Sequence, residues 1–158
     1  MTETRFDLFG SELMTSFFRR FSAASQVVTE ASLPKSTQEL VKIRASQING
    51  CGMCTDMHVK DALAAGEDPT RLFLVAAWRE ATVFTEAERA ALALAEEGTR
   101  LADAAPGVSD DTWQAVRKHF DEEQIAALIG VLAVINAWNR LNVIAATPAG
   151  GYQPGMFG

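Results

Sequence analysis

Ser36-Thr37-Gln38-Glu39-Leu40-Val41-Lys42-Ile43-Arg44-Ala45-Ser46-Gln47-Ile48-Asn49-Gly50-Cys51-Gly52-Met53-Cys54-Thr55-Asp56-Met57-His58 is the stretch that decides the fold. Leu40, Val41, Ile43 and Ile48 recur at helical spacing. Ser36 to Glu39 has capping-box form and predicts the helix start. Asn49-Gly50 is a turn or C-cap pair. A second helix is predicted from near Cys51 to Gly66. The stretch reads as helix, tight turn, helix.

The same signals repeat on both sides. Ser11 predicts a helix to about Glu30, with Leu13, Phe17, Phe18 and Phe21 at helical spacing. Asp68-Pro69 opens a short helix to about Trp78. Thr85-Glu86-Ala87-Glu88 is a capping box for a helix to about Leu101. A loop with Pro106 and Gly107 precedes a helix from Ser109 to about Phe120. Asp121 and Gln124 cap the most apolar helix, to about Ala145. From Thr147 onward Pro148, Gly150, Gly151, Pro154 and Gly155 predict an extended arm over 147–158. No stretch alternates apolar and polar residues between hairpin turns. The expectation is an all-α domain of about seven helices over 1–158, with the chemistry in about 36–102.

Composition narrows the function. At 158 residues the chain is long enough to bury a core without disulfide or metal staples. A net charge of −6 argues against a general nucleic-acid binder, which needs clustered Lys and Arg. Two cysteines do not make a disulfide-built secreted scaffold. Met1 to Gly10 lack the apolar core of a signal peptide. The longest apolar run, Ile125 to Ile135, is shorter than a bilayer span. These features lead to expectations of a cytoplasmic location and no membrane partner. Phosphate loops, Gly-x-Ser-x-Gly and His-Glu-x-x-His are all missing, so no cofactor is indicated.

Chemistry concentrates in Cys51, Cys54 and His58. On a helix these three fall within roughly a 60° arc of one face. A helix start favours a thiolate, and His58 can take the Cys54 proton or pair with the thiolate. A low-pKa thiol with a second thiol one turn away can be oxidised and then close a disulfide. Glu39 precedes the Asn49-Gly50 turn by about as many residues as His58 follows it. A hairpin therefore makes them plausible neighbours, with Glu39 orienting His58 or relaying its proton. Other readings stay open. Both cysteines can be small buried hydrophobes. Cys-x-x-Cys with His58, and Glu39 as a fourth ligand, can bind zinc. Glu39 can be a capping residue only. His119 reads as structural. Trp78, Trp113 and Trp138 read as core or interface. Glu86, Glu88, Glu96 and Glu97 read as a solvated face.

Gln47 to Lys60 resembles the AhpD-like alkylhydroperoxidases of the carboxymuconolactone decarboxylase superfamily. The likeness continues through Ala65-Gly66-Glu67, Trp78-Arg79-Glu80, Glu88 to Leu94, Asn136 to Asn142 and Tyr152-Gln153-Pro154-Gly155. The resemblance implies an all-α homo-oligomer, often a trimer or hexamer, that reduces hydroperoxides with thiols. It implies that Cys54 is the peroxidatic cysteine, Cys51 the resolving one, and His58 with Glu39 the proton relay. The implied partners are a hydroperoxide and a dithiol or dithiol protein that attacks the more exposed Cys51. A general thiol–disulfide oxidoreductase or redox sensor of the same fold is the alternative. Some members of the family carry a second His between the cysteines, where this chain has Met53. The decarboxylase branch generally lacks the Cys pair. Tyr152, Met156 and Phe157 lead to the expectation that the arm supports assembly.

Overall fold

A computed structural model describes residues 3–103 and 107–156. Pro106 of the predicted loop and Phe157 of the arm lie outside them. Seven α-helices are present among the described residues, and no strand. They are α1 (Glu12–Thr29), α2 (Lys35–Ile48), α3 (Gly52–Ala64), α4 (Pro69–Leu74), α5 (Glu86–Thr99), α6 (Asp110–His119) and α7 (Glu122–Ala145). A single 3₁₀ turn, Val75–Ala77, follows α4, so the helix expected to reach Trp78 tightens after Leu74.

Most helix starts are set by the predicted side chains. Ser11, Asp68, Thr85, Ser109 and Asp121 each accept a backbone N–H of the first turn. Thr85 with Glu88, and Asp121 with Gln124, close full capping boxes. The capping box at Ser36 does not form. The residue before α2 is Pro34, which has no side-chain cap, and the helix begins at Lys35. Glu39 thus lies in the body of α2, where its carboxylate serves other partners.

α2 is the central helix and packs on α3, α5 and α7. Its two sides feed two cores. Val41 and Ala45 join Ala91, Leu128, Val131 and both cysteines. Leu40 and Ile43 join Val75, Trp78, Phe84 and Leu92. Two of its buried polar side chains bond across elements: Gln38 Nε2 donates to Leu33 O at 2.8 Å, although its Oε1 has no partner, and Ser46 Oγ accepts from Asn139 Nδ2 at 3.0 Å.

α7 has the length and hydropathy to cross a membrane. Here it packs on α1, α2, α3 and α5 and buries Leu128, Val131, Leu132 and Ile135. α1 forms an outer wall against α7 and has no fully buried residue. Phe18 and Phe21 pack on Trp138, with ring centroids 5.2 and 4.9 Å away. Further along, a Cβ on Gly130 would stand 2.4 Å from Val28 Cγ1. Glycine therefore lets the two helices approach there.

Two of the glutamates expected on a solvated face are buried. Glu88 pairs with Arg71 and closes the Thr85 cap. Glu96 accepts from Arg44 Nε at 2.8 Å and Trp78 Nε1 at 3.0 Å and also pairs with Arg79. Glu97, half-buried, accepts the Ser109 N–H at 2.7 Å and the Thr112 hydroxyl at 2.7 Å. The partners that neutralise Glu88 and Glu96 come mostly from other elements, so the charge pattern of α5 alone could not reveal them.

The arm is extended and folds back on α3 of its own chain. Tyr152 is buried, and its hydroxyl bonds Asp61 at 2.9 Å. Asp56 accepts the N–H groups of Gly150 and Tyr152, and Lys60 donates to their carbonyls. Tyr152 therefore needs no second copy to leave water.

Candidate active site

The turn between α2 and α3 builds the site. Gly50 takes φ +66°, a left-handed conformation that costs glycine little. Cys51 is then the N-cap of α3 rather than a residue of its first turn. Its Sγ accepts the Cys54 N–H at 3.3 Å. Cys51 and Cys54 are joined as a disulfide across a Cα separation of 5.4 Å. Both are almost fully buried, Cys51 at 2% and Cys54 at 1% exposure. Neither cysteine is exposed at the surface, because both belong to the same packed core.

The hairpin brings Glu39 and His58 together. His58 Nδ1 lies 2.8 Å from Glu39 Oε2. The other carboxylate oxygen accepts from Lys42 Nζ at 2.8 Å. Lys42 was missed in the sequence, although it lies one helical turn after Glu39. Burial works against the charge on Glu39, but the hydrogen bonds and positive charge of His58 and Lys42 outweigh it. They hold its pKa at about 2, well below the ordinary carboxyl value of 4.5. Near neutral pH Glu39 is a fixed anion. It orients the imidazole through this hydrogen bond. Nδ1 is committed to the carboxylate, which leaves Nε2 for proton transfer.

Cys54 and His58 line one cavity of about 460 Å³. Its walls include Phe18, Met53, Met57, Val131, Ile135 and Trp138, and Lys42 and Asn142 also reach it. Cys51 is not among its lining residues. α1 supplies one side, with Thr15, Ser22, Ser25 and Thr29 facing the cavity. Periodicity of the large residues in α1 did not reveal this wall. Of the other aromatics noted in the sequence, Trp138 stands on the cavity, Trp78 is buried beside Glu96, and Trp113 is half-buried on α6. His119 ends α6 and is also half-buried. Among the described residues no group of three or more His, Cys, Asp or Glu side chains is arranged to hold a metal ion.

A network of amides fixes α7 over this floor. Asn49 Nδ2 donates to Asn136 Oδ1 and Asn139 Oδ1, both at 2.9 Å. Asn136 also donates to Thr99 Oγ1 at 3.2 Å. Nothing in the spacing of these residues shows that they converge, because α2, α5 and α7 each contribute.

Known proteins share this arrangement of chain. The model of the carboxymuconolactone decarboxylase family matches residues 15–97, just over half of the sequence. The chain belongs to the carboxymuconolactone decarboxylase family. Within reach of this family member, the uncharacterized protein YdfG of Bacillus subtilis is 40% identical over 72% of this chain and 76% of its own. The alkyl hydroperoxide reductase AhpD of Rhodopseudomonas palustris strain BisB18 is 39% identical over 45% of this chain and 41% of its own. Among solved structures, ATU0492 of Agrobacterium tumefaciens superposes with a TM-score of 0.87 at 33% identity. That match covers 95% of this chain and all of that one. The all-α, AhpD-like fold of this family member is thereby established. The debrominase Bmp8 shares the fold at a TM-score of 0.76 and 17% identity.

Proposed function

We propose that this protein is a thiol peroxidase that reduces organic hydroperoxides. The observation that carries the reading is the Cys54 sulfur on an apolar cavity that also holds His58, with Glu39 locked behind the imidazole. The likeness to proteins named alkyl hydroperoxide reductase agrees with it.

In the reduced protein, the start of α3 favours a Cys54 thiolate, and His58 takes the proton that the thiol gives up. The thiolate attacks the terminal oxygen of R–O–O–H. An S–O bond forms, the O–O bond breaks, and RO⁻ takes a proton from His58 to leave as alcohol. Cys54 is then a sulfenic acid. The Cys51 sulfur attacks it, and hydroxide leaves with the Cys51 proton as water. Two thiols have lost two electrons to one hydroperoxide, giving the Cys51–Cys54 disulfide. A dithiol restores both thiols by exchange and becomes a disulfide itself. Glu39 acts throughout as the anion that orients His58.

Burial favours this reading over general disulfide exchange between proteins. Neither sulfur is exposed enough for a protein disulfide to approach without rearrangement, whereas the cavity admits a small molecule. At about 460 Å³ the cavity lies in the usual range for organic ligands and far exceeds the needs of hydrogen peroxide. Met53 gives the wall a thioether where some family members have a second His, so His58 is left as the proton donor. On this reading the reductant is a dithiol small enough to enter the same cavity. Assembly as a homo-oligomer belongs to the same proposal, with α1 as the face that is covered. Steady-state consumption of cumene hydroperoxide with excess dithiol tests the activity. We expect turnover that vanishes in Cys54→Ser; full activity in that variant would end the assignment.

A further inference from the structure

We propose that Asn142 is a catalytic residue whose side-chain amide donates a hydrogen bond to the Cys54 sulfur and stabilises its thiolate. This rests on the reading of Cys54 as the attacking sulfur. Asn142 lies three residues beyond Asn139, about one turn further along α7, on the cavity wall. Its Nδ2 donates to Trp138 O at 3.0 Å and to Cys54 Sγ at 3.7 Å. The first bond fixes the orientation of the amide, because the carbonyl accepts from an N–H and would repel Oδ1. The second N–H is then left for the sulfur.

The two sulfurs are therefore served differently. Cys51 Sγ accepts a backbone N–H, that of Cys54. Cys54 Sγ accepts a side chain carried by another helix. Hydrogen bonds to an anion are about twice as strong as those between neutral groups. The Asn142 contact is thus worth more to the thiolate than to the thiol or the disulfide. An amide suits this position because it has no proton to lose near neutral pH and cannot compete with His58 for the proton of the leaving alkoxide. Other charges act on the same sulfur. His58 on α3 lines the cavity, as does Lys42 on α2, with Glu39 behind them. α1 presents the hydroxyls of Thr15, Ser22, Ser25 and Thr29 together with Phe18, and α7 presents Asn142 with apolar neighbours. Asn142 is the neutral donor in this set that the structure bonds to sulfur.

The test uses Cys51→Ser as background, so that one thiol titrates. Thiolate absorbance and the rate of alkylation by a small reagent are followed against pH. Losing one charge-assisted bond in Asn142→Leu should raise the Cys54 pKa by about one unit, a roughly tenfold slower alkylation below that pKa. Asn142→Asp keeps the shape and sets a carboxylate against the thiolate, so it should raise the pKa further. Should the Leu variant lose its helical circular dichroism, the isosteric Asp variant carries the test. An unchanged pKa and alkylation rate in folded Asn142→Asp would overturn the proposal. No hydroperoxide enters the measurement. A shifted pKa in a protein without turnover would uphold Asn142 as the thiolate donor and overturn only the peroxidase reading.

Discussion

Glu39 shows how one side chain acquires its role from its neighbours. Its sequence context is that of a helix cap, yet its oxygens hold His58 and Lys42. Its depressed pKa links the site to stability. A carboxylate with a lowered folded pKa stabilises fully above its unfolded value, and that contribution fades as pH falls toward the folded one. For Glu39 the window runs from 4.5 down to about 2. Glu39→Gln should therefore melt below the parent at pH 6, and the gap should close as pH falls through that window. Thermal melts of both proteins across the range check this. A gap that stays constant down to pH 2 would contradict it. His58 was legible as the partner of Glu39 because equal distances from a tight turn place residues level on paired helices. Lys42 as the second clamp, and Asn142 at the sulfur, were not picked out, since one is set by the rotation of α2 and the other by where α7 crosses α3.

Among the elements, α1 is the most conditional. It contributes one wall of the cavity and is held on α7 by Phe18 and Phe21 against Trp138 and by the close approach at Gly130. Two effects compete at Gly130. Alanine favours an exposed helix interior over glycine by about 1 kcal/mol, while forcing a methyl into a packed contact costs typically 1–3 kcal/mol. Val28 is β-branched and cannot swing aside, so the clash should win. Gly130→Ala is expected to destabilise the protein, and in a Val28→Ala background, where only the residue-28 Cβ remains 3.1 Å away, the same change should cost much less. Denaturant unfolding of the four proteins reads this coupling directly, and additive effects would show that the helices do not meet there. Helix starts were legible because Ser, Thr and Asp signal them locally. The buried state of Glu88 and Glu96 was not, because Arg44, Arg71, Arg79 and Trp78 reach them from elsewhere in the chain.

At the scale of the molecule, one group of exposed apolar residues lies on α1, the segment before it and the end of α7. Leu13 is 78% exposed and Ile144 71%, and Phe6, Phe9 and Phe17 are also exposed. Arg5 N donates to Ala145 O at 2.9 Å, which brings the Phe6 segment to the end of α7. Exposed apolar side chains grouped in this way are candidates for an interaction face. The C-terminal arm, by contrast, spends Tyr152 on its own α3. Assembly is therefore expected to depend on α1 more than on the arm. Leu13→Glu with Phe17→Glu should lower the sedimentation coefficient to that of a smaller species; an unchanged profile would remove α1 from the interface.

In the proposed cycle Cys54 meets the hydroperoxide and Cys51 closes the disulfide. Its most direct test is a single turnover of the fully reduced protein with one equivalent of cumene hydroperoxide, followed by thiol titration. We predict that both thiols are consumed together as one equivalent of alcohol is formed. In Cys51→Ser the reaction should stop at a Cys54 sulfenic acid that a dimedone-type reagent traps. Thiols that survive the hydroperoxide untouched, in a protein whose disulfide still forms with a disulfide oxidant, would contradict the peroxidase reading and leave the cysteine pair an exchange or sensing device.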